Sequence, residues 1–360
     1  MKHKTDFEPF KVGTVFNPVV GGPYETNLKK NYVKIRYPSR LNLMAIDPSK
    51  IASNQNLVYT PGEFILKVKI YKEVSVKANG RSGEIVISSS SRRKPLIIHS
   101  ALLMKKALGF KEGLFIDVNN GNEVRHVGLG SSSALIASVA CAINELFGKP
   151  IKAKDLVQYL AQNHGEEIDG NSDYINPVQC IGGSAAGGQY IGALMILAGK
   201  SRVIKAINIS SDYKVVIGIP RDFVELDSRE LLKREQEVFH KFIKYGEKYG
   251  PEIAYKTLHS VLPAMVEGDF KTVGDLVYDY RFNMGSIDNC SYTYPPLNKL
   301  ASKLSFLKTK GYVDILSISS VGPAFLAVSK DVNKCKSVFE KENLSTFITE
   351  PENRKYQVVE

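Results

Sequence analysis

Residues 128–133 read GLGSSS and stand directly before a long apolar run. The two glycines permit backbone geometry closed to other residues and let a ligand approach the main chain. The serines are predicted at the N-cap and first turn of a helix, where free N–H groups and the helix dipole favour an anion. One serine would be enough to cap the helix. The pattern therefore predicts a phosphate-binding loop made of Gly128, Leu129, Gly130, Ser131, Ser132 and Ser133.

Acidic residues cluster in HGEEIDGNSDYINPVQCIGG, residues 164–183. Phosphoryl transfer needs neutralised phosphate charge, a metal ion and a group that orients or deprotonates the attacking hydroxyl. Glu166, Asp169 and Asp173 are spaced i, i+3, i+7 and would share one face if the helix predicted over 152–169 continued that far. The Gly-Asn pair after Asp169 suggests that the helix stops first, and the run is then a solvated acidic helix end.

Two more stretches carry polar residues suited to binding a ligand. In PSRLNL, Arg40 could contact a phosphate or a substrate, or form a structural salt bridge. Asn42 follows it in the same stretch. In SISSVGPAFLAV, Ser319, Ser320 and Gly322 could cradle a substrate, or form only a turn between core strands that the following proline stiffens.

The 360-residue chain has a net charge of +11. This charge favours anionic partners such as nucleotides, phosphorylated metabolites or nucleic acid, or it reflects a generally basic surface. The densest basic cluster, SRRKP at 91–95, predicts a hairpin turn. His126 and His164 are weaker candidates, since lone histidines are more often polar groups at helix ends.

Several classes of protein are disfavoured by the absence of their signals. No apolar run is long enough for a transmembrane helix, and the N-terminus lacks the apolar core of a signal peptide. We therefore expect a cytoplasmic protein with no membrane partner. The four cysteines are far apart and form no CxxC pair, which predicts buried thiols in a reducing compartment.

The candidate residues must be positioned by elements that the hydrophobic pattern predicts. Strands dominate from residue 32 to about 91. Residues 134–147 are apolar on nearly every face, which predicts a buried central helix. After long amphipathic helices, residues 295–349 have the pattern helix, strand, strand, helix, strand. This alternation predicts an α+β fold in two domains, 1–200 and 201–360.

The loop GLGSSSA is similar to the motif P-x-x-x-G-L-G-S-S-A-A of the GHMP kinases, the superfamily of galactokinase, homoserine kinase and mevalonate kinase. PSRLNL resembles the family's N-terminal P-G-R-[IV]-N-L, and SISSVGPAFLAV occupies the place of its C-terminal glycine-rich loop. The resemblance covers about residues 32–350, although the leading proline is absent and a third serine replaces the first alanine. It implies a ribosomal S5 domain 2-like N-terminal domain and a ferredoxin-like α+β C-terminal domain.

The resemblance also implies a reaction, which is transfer of the γ-phosphoryl group of ATP to a hydroxyl of a small anionic metabolite, such as a phosphomevalonate-type acid. ATP would bind at the 128–133 loop, and Ser132 and Glu166 would hold Mg²⁺. A homodimer is also expected. The small-molecule acceptor would lie in the cleft between the domains, against Asn42, Ser319, Ser320 and Gly322.

The family's catalytic aspartate has two candidate positions in this chain. In the family, this aspartate deprotonates or orients the attacking hydroxyl, and it precedes a Gly-Gly pair by about two turns. Counting back from Gly182 gives a position close to Asn176, and Asp173 lies three residues earlier. Either the loop carries a small insertion and Asp173 acts, or the base has been lost. We favour Asp173, with Arg40 as a second catalytic residue.

Two alternative functions stay open. The archaeal β-ribofuranosylaminobenzene 5′-phosphate synthases are similar in PSRLNLMAID and SSVGPAFLAV, and join phosphoribosyl diphosphate to 4-aminobenzoate with loss of CO₂ and diphosphate. Asn42 stands where that branch has His, and GSSSA replaces its G-S-G-T-Q, which favours a kinase. An RNA-binding protein is the other alternative, because the N-terminal half shares its fold with a ribosomal protein domain. No basic arm or aromatic cluster supports it, so no nucleic-acid partner is expected.

Overall fold

The computed structural model describes residues 8–50, 60–80, 83–120 and 127–360. His126 lies outside the described residues. Strands occur at both ends of the chain and between the helices. They are β1 (Phe10–Lys11), β2 (Tyr32–Ala45), β3 (Glu63–Ala78), β4 (Ile85–Ile87), β5 (Leu114–Asn119), β6 (Gly165–Glu167), β7 (Tyr174–Pro177), β8 (Leu194–Ala198), β9 (Arg202–Ile207), β10 (Lys214–Pro220), β11 (Ile315–Ile318), β12 (Phe325–Ser329), β13 (Leu344–Thr349) and β14 (Gln357–Val358).

Helices pack on the sheets of both halves. They are α1 (Lys94–Leu108), α2 (Ser131–Leu146), α3 (Ala153–Gln162), α4 (Gly183–Gln189), α5 (Ser228–Lys256), α6 (Leu262–Glu267), α7 (Phe270–Tyr278), α8 (Leu297–Leu304), α9 (Phe306–Thr309) and α10 (Asn333–Lys341). A π-helical turn, Asp279–Asn283, extends α7. Within the described ranges, no helix combines the length and apolar character needed to cross a membrane.

A seven-stranded sheet carries the N-terminal half, in the order β14-β2-β3-β5-β4 with β8 beside β3 and β9 beside β8. Alternate residues of β2 and β3, among them Val33, Ile35, Val74 and Val76, are fully buried in a core that also contains α1 and α2. Strand side chains alternate between faces, so one face of this pair is apolar. Helix α2 is buried on nearly all sides, in agreement with the apolar run at 134–147.

The C-terminal half has a four-stranded antiparallel sheet in the order β11-β12-β10-β13. Helices α5 to α9 connect its first strand to its second, and α10 connects its third strand to its fourth. This is the ferredoxin-like arrangement, and the predicted α+β fold is confirmed. The elements predicted for residues 295–349 are also present, although the first helix is divided into α8 and α9.

The two halves share apolar contacts at the base of the cleft between them. Leu41 and Phe64 from the N-terminal sheet lie in one fully buried cluster with Val215 and Leu326 from the C-terminal sheet. Burial of apolar area across this boundary stabilises the arrangement of the two halves. The turn after β11 therefore lies close to the loop that precedes α2.

The domain boundary predicted near residue 200 falls inside the N-terminal sheet. Strand β9 pairs with β8 and ends only at Ile207. At the other end of the chain, β14 returns to pair with β2, with Gln357 opposite Arg36. Residues 201–360 are therefore not one contiguous domain. A two-residue strand has too little hydrophobic periodicity to be recognised in the sequence.

The predicted helix over 152–169 is also corrected. Helix α3 ends at Gln162, and the following residues form β6 instead. Consequently Glu166, Asp169 and Asp173 do not share a helix face. Helical spacing is overridden here by the pairing of β6 with β7, in which Glu166 lies opposite Asn176.

The basic cluster at 91–95 does not form the predicted hairpin. Arg93 is instead the N-cap residue of α1, with φ 59° and ψ 43°. Pro95 follows in the first helical turn, where the missing N–H costs nothing because that group has no partner in the helix. The start of α1 places the guanidinium of Arg93 against Ser131, Ser132 and Glu166.

Candidate active site

A cavity of about 250 Å³ opens between the two halves of the chain. Its walls come from the loop 128–133, the segment 176–181, the first turns of α5 and the turn 320–322. The structure therefore brings together stretches that are far apart in sequence. The predicted site residues on these walls are the six residues of the loop, Arg40, Asn42, Glu166, Ser320 and Gly322.

Both glycines of the loop are required by its geometry. Gly128 has φ 88° and Gly130 has φ 66°, a region that residues with side chains rarely adopt. A Cβ at Gly128 would lie 2.2 Å from the carbonyl oxygen of Ser319, and one at Gly130 would lie 3.0 Å from Cζ of Arg40. Ser319 is fully buried behind the loop, and its hydroxyl donates to the Gly128 carbonyl at 2.6 Å.

The first turn of α2 is open to an anion. Gly130, and not a serine, is the N-cap residue, and no described side chain caps this helix. Ser131, Ser132 and Ser133 occupy the first turn, and Oγ of Ser133 lies 2.7 Å from Oγ of Ser184. Capping alone therefore does not account for the three serines. The first N–H groups and the helix dipole are suited to binding phosphate here.

Arg93 is a site residue that the sequence analysis missed. Its guanidinium reaches the hydroxyls of Ser131 and Ser132 at 3.0 and 2.6 Å. It also pairs with Glu166 and Glu167, each at 2.6 Å. Its side chain is only 6% exposed. No local pattern marks Arg93 as functional, because these partners are 38 or more positions away in the sequence.

The two predicted magnesium ligands meet at one point, but a protein cation occupies it. Oγ of Ser132 and Oε1 of Glu166 each lie 2.6 Å from the same nitrogen, Nη2 of Arg93. Among the described residues, no group of three or more His, Cys, Asp or Glu side chains could hold a metal ion. As folded, this pair of ligands does not fit Mg²⁺, because Arg93 already engages both.

The structure places Asp173 outside the cavity, on an exposed turn between β6 and β7. Oδ1 of Asn171 accepts the N–H groups of Asp173 and Tyr174, each at 2.9 Å, and this turn directs Asp173 to solvent. Asn176 is 4% exposed and lines the cavity. The predicted placement of Asp173 is therefore corrected. The residue facing the cavity is an amide, which can orient a hydroxyl but cannot take its proton.

Two side chains on the cavity wall have buried donors without partners among the described residues. These donors are Nε and Nη1 of Arg40 and Nδ2 of Asn176. Buried polar atoms are nearly always paired, and a ligand that carries acceptor oxygens could pair with these donors. Guanidinium groups bind phosphate and carboxylate oxygens in pairs. Because Arg40 lies against Gly130, the ligand group that it meets is at the loop.

Asn42 has a partner inside the protein. Its Nδ2 donates to Glu63, whose other oxygen accepts the N–H of Gly183 at 2.7 Å. The backbone N–H of Asn42 donates to Oγ of Ser319 at 3.1 Å. Asn42 therefore holds Glu63 at the cavity wall. Glu63 was not predicted as a site residue, although a carboxylate at the start of the apolar run EFILKV was a signal that could have found it.

A second cavity of about 160 Å³ adjoins the first. Its wall includes the aromatic side chains of Phe239, Phe242 and Tyr280, and its charged residues are Glu235 and Arg281. Arg281 is 2% exposed, and its Nε donates to the carbonyl of Leu43 at 2.9 Å. Within the described part of the chain, Arg281 forms no ion pair with a carboxylate. A buried charge without a counter-ion is costly, so an anionic group in this cavity would stabilise Arg281.

Burial shifts the pKa of several groups around the two cavities. It raises the pKa of Glu235 to about 7, against a smaller opposing effect of the Tyr292 hydroxyl. It lowers the pKa of His164 to about 4, although Glu166 opposes this shift. It raises the pKa of the Cys180 thiol to about 11. At neutral pH, Glu235 is therefore the group that can exchange a proton most readily.

The uncapped start of a buried helix, in a cleft between a mixed sheet and a ferredoxin-like half, defines a two-lobed α+β protein with a glycine- and serine-rich loop at the cleft. Comparison with known families agrees with this description. Residues 95–184 match the GHMP kinases N terminal domain. The resemblance drawn from the motifs is therefore confirmed over this segment.

Individual relatives extend the comparison to the whole fold. Homoserine kinase of Thermoplasma volcanium is 31% identical over 120 residues, which are 33% of this chain and 35% of that protein. Homoserine kinase from Cytophaga hutchinsonii has a TM-score of 0.60 at 15% identity, covering 92% of this chain and 99% of the other. A structure described as MDDEF in complex with MVAPP, AMPPCP and magnesium has a TM-score of 0.57 at 14% identity, covering 91% and 99%. These structures share the fold of this chain.

Proposed function

We propose that this protein is an ATP-dependent kinase that phosphorylates a hydroxyl of a small anionic metabolite. The observation that carries the proposal is the loop 128–133, which leaves the first N–H groups of α2 uncapped in the cleft. Such a helix end binds phosphate. The matched family and the homoserine kinase relatives favour a kinase over the synthase and RNA-binding alternatives.

The donor in this proposal is ATP, with its phosphates at the loop. A protein of the same fold has been described with AMPPCP and magnesium. Magnesium bound to ATP neutralises charge on the phosphates. In this chain Arg93 engages Ser132 and Glu166. The residues that act on the transferred phosphoryl group are therefore the loop itself and Arg40, which lies against Gly130 of the loop and has unpaired donors among the described residues.

The acceptor in this proposal carries an anionic group. Arg281, buried in the second cavity with no carboxylate partner in the described chain, would bind a carboxylate or phosphate of the acceptor. The aromatic walls would contact its carbon skeleton. An acceptor held in this way reaches from the second cavity towards the loop, with its hydroxyl in the first cavity. A phosphomevalonate-type acid has this combination of groups.

Glu235 is the proton acceptor that this geometry favours. Three carboxylates line the first cavity in the described chain, and two of them, Glu63 and Glu166, are held by neighbours. Glu235 lines both cavities, so an acceptor that spans them passes it. The hydroxyl oxygen forms the new bond to the γ-phosphorus, the bond to the β–γ bridging oxygen breaks to leave ADP, and the hydroxyl proton moves to Glu235. A carboxylate with a pKa of about 7 is well matched to this step.

The test is ADP release from ATP and Mg²⁺ with a panel of hydroxylated acids, including homoserine, mevalonate and phosphomevalonate, each beside a neutral alcohol of similar size. We expect turnover with at least one acid and none with its neutral counterpart. Release of CO₂ from phosphoribosyl diphosphate and 4-aminobenzoate, with no ADP from any acceptor, would contradict the kinase and support the synthase. Stabilisation of the protein by RNA and not by ATP would support an RNA-binding protein.

A cytoplasmic location and a homodimer stay predictions from the sequence. Size-exclusion chromatography with light scattering checks the oligomeric state. The cysteine prediction has structural support, since all four thiols are free and three of them, Cys141, Cys290 and Cys335, are buried.

A further inference from the structure

We propose that Arg93 takes the place of a protein-bound metal ion in this site, and that it does so by orienting the hydroxyls of Ser131 and Ser132 towards the phosphates. This inference rests on one part of the proposed function, which is that a nucleotide phosphate binds at the loop. It adds a positioning residue, outside the matched family segment 95–184, to which neither the motifs nor the comparisons assign a role.

The first argument is the position of the guanidinium. Nη2 of Arg93 lies 2.6 Å from both Ser132 and Glu166, the pair that the family resemblance assigns to Mg²⁺. A metal ion bound by these two oxygens would have to displace that nitrogen. Displacement would also break the contacts of Arg93 with Ser131 and Glu167. The carboxylates of Glu166 and Glu167 therefore already have a counter-charge in Arg93.

The second argument is the direction of the serine hydroxyls. A hydroxyl has a single hydrogen to donate and accepts through its lone pairs. Ser131 and Ser132 each accept an N–H from Arg93, so the hydrogen of each hydroxyl is available for another acceptor. Neither hydroxyl donates to a described protein group, and both residues line the cavity. A phosphate oxygen in the cavity would accept these hydrogens, and the charge of Arg93 would strengthen both bonds.

The third argument is the charge behind Arg93. Lys72 is 6% exposed, and burial together with the nearby charge of Arg93 lowers its pKa to about 7. Because the charge of Arg93 already disfavours the charged form of Lys72, a divalent cation at the same point would disfavour it further. The backbone also fixes the arginine, since a non-glycine residue with φ 59° is uncommon and is retained where the surrounding contacts require it.

The experiment measures binding, so that it does not depend on an identified acceptor. Calorimetric titration of ADP is done with Mg²⁺ and with EDTA, and Mn²⁺ binding to the protein without nucleotide is followed by electron paramagnetic resonance. Wild-type protein should bind ADP with similar affinity in both buffers and should not bind Mn²⁺. Binding of Mn²⁺ to the wild type that is lost in Glu166→Gln would overturn the inference.

Variants at the arginine separate positioning from folding. Arg93→Ala should weaken metal-free ADP binding by about 10- to 100-fold, the range for loss of a group that orients a ligand-binding residue. It should also gain Mn²⁺ binding, because the nitrogen that lies 2.6 Å from both Ser132 and Glu166 is removed. Arg93→Lys should restore part of the metal-free affinity. The matched control is Arg92→Ala, which removes an exposed arginine next to it and should change neither measurement.

The outcomes distinguish this inference from the proposed function. If Arg93→Ala does not fold, Arg93→Lys and Glu166→Gln still report on metal dependence. ADP binding to the wild type only when Mg²⁺ is present would overturn the role of Arg93 while leaving the kinase intact. Failure of ADP and ATP to bind in either buffer would contradict the kinase itself.

Discussion

Glu235 is the residue on which the proposed proton transfer depends. Glu235→Gln keeps the shape of the side chain and removes the proton acceptor, so kcat should fall by about 100-fold or more, as for loss of a general base. In the wild type, kcat should rise as pH increases through about 7, because the carboxylate must be ionised to act. Initial rates over a range of pH check both points. The variant should lose this rise while its affinity for ATP is unchanged.

The raised pKa of Glu235 also predicts a pH dependence of stability. The folded protein holds the proton up to about pH 7, whereas the unfolded chain releases it near 4.5. Between these values the folded state binds more protons, so the free energy of unfolding contributed by this group decreases as pH rises. Urea unfolding at several pH values should show a smaller decrease in Glu235→Gln than in the wild type. Equal slopes in the two proteins would contradict the raised pKa.

Asp173 supplies the matched test of the catalytic assignment. Its carboxylate is on an exposed turn outside the cavity, so Asp173→Asn should leave kcat within about twofold of the wild type, as surface changes usually do. The same kinetic assay checks it. Loss of turnover in Asp173→Asn, together with normal turnover in Glu235→Gln, would return the base to the position first inferred from the motif.

The residues that the sequence predicted and those that it missed differ in a physical way. Gly128 and Gly130 act through their own backbone, so their spacing before an apolar run is enough to indicate a loop. Arg93 and Arg281 act through partners that only the fold brings near. Their environment depends on long-range contacts, which cannot be predicted from the spacing of residues along the chain.

At the scale of elements, the loop before α2 depends on its contact with the turn after β11. Gly128→Ala places a Cβ 2.2 Å from the Ser319 carbonyl, at a φ of 88°. We expect loss of ADP binding and a Tm lower than that of the wild type, measured by calorimetry and thermal unfolding. Gly170→Ala is the matched control. Its φ is 76° but a Cβ there meets nothing within 4 Å. It should cost only the backbone strain, about 1 kcal/mol, and leave ADP binding intact.

Helices and strands with a strong period were predicted well, and short ones were not. Helix α2 and the order of elements from α8 to β13 followed from patterns sustained over many residues. Strand β6 has three residues, and tertiary pairing with β7 overrode the helical spacing of its carboxylates. Because β6 and a turn replace the predicted helix, Asn176 lines the cavity and Asp173 lies outside it.

At the scale of the whole molecule, the C-terminal segment joins the last strand of one half to the sheet of the other. The hydroxyl of Tyr356 donates to Oε1 of Glu145 at 2.6 Å, and its N–H donates to the carbonyl of Gly188 at 2.8 Å. The ammonium of Lys67 donates to the carbonyl of Arg354 at 2.8 Å. These contacts satisfy polar groups buried in the N-terminal half, although Tyr356 itself lies beyond the C-terminal sheet in sequence.

Because of this segment, the two halves should unfold together. Tyr356→Phe leaves the buried Glu145 with Lys149 as its remaining partner, and should lower the free energy of unfolding by about 1–3 kcal/mol, the cost of removing one partner of a buried group. Calorimetry should show a single transition for the wild type and for this variant, at a lower Tm in the variant, since the shared apolar core stays in place. The control is Val359→Ala at an exposed position, which should not shift Tm measurably. Two separated transitions in the wild type would mean that the halves unfold independently. The shape of the cleft between them would then be set by the ligand and not by the fold.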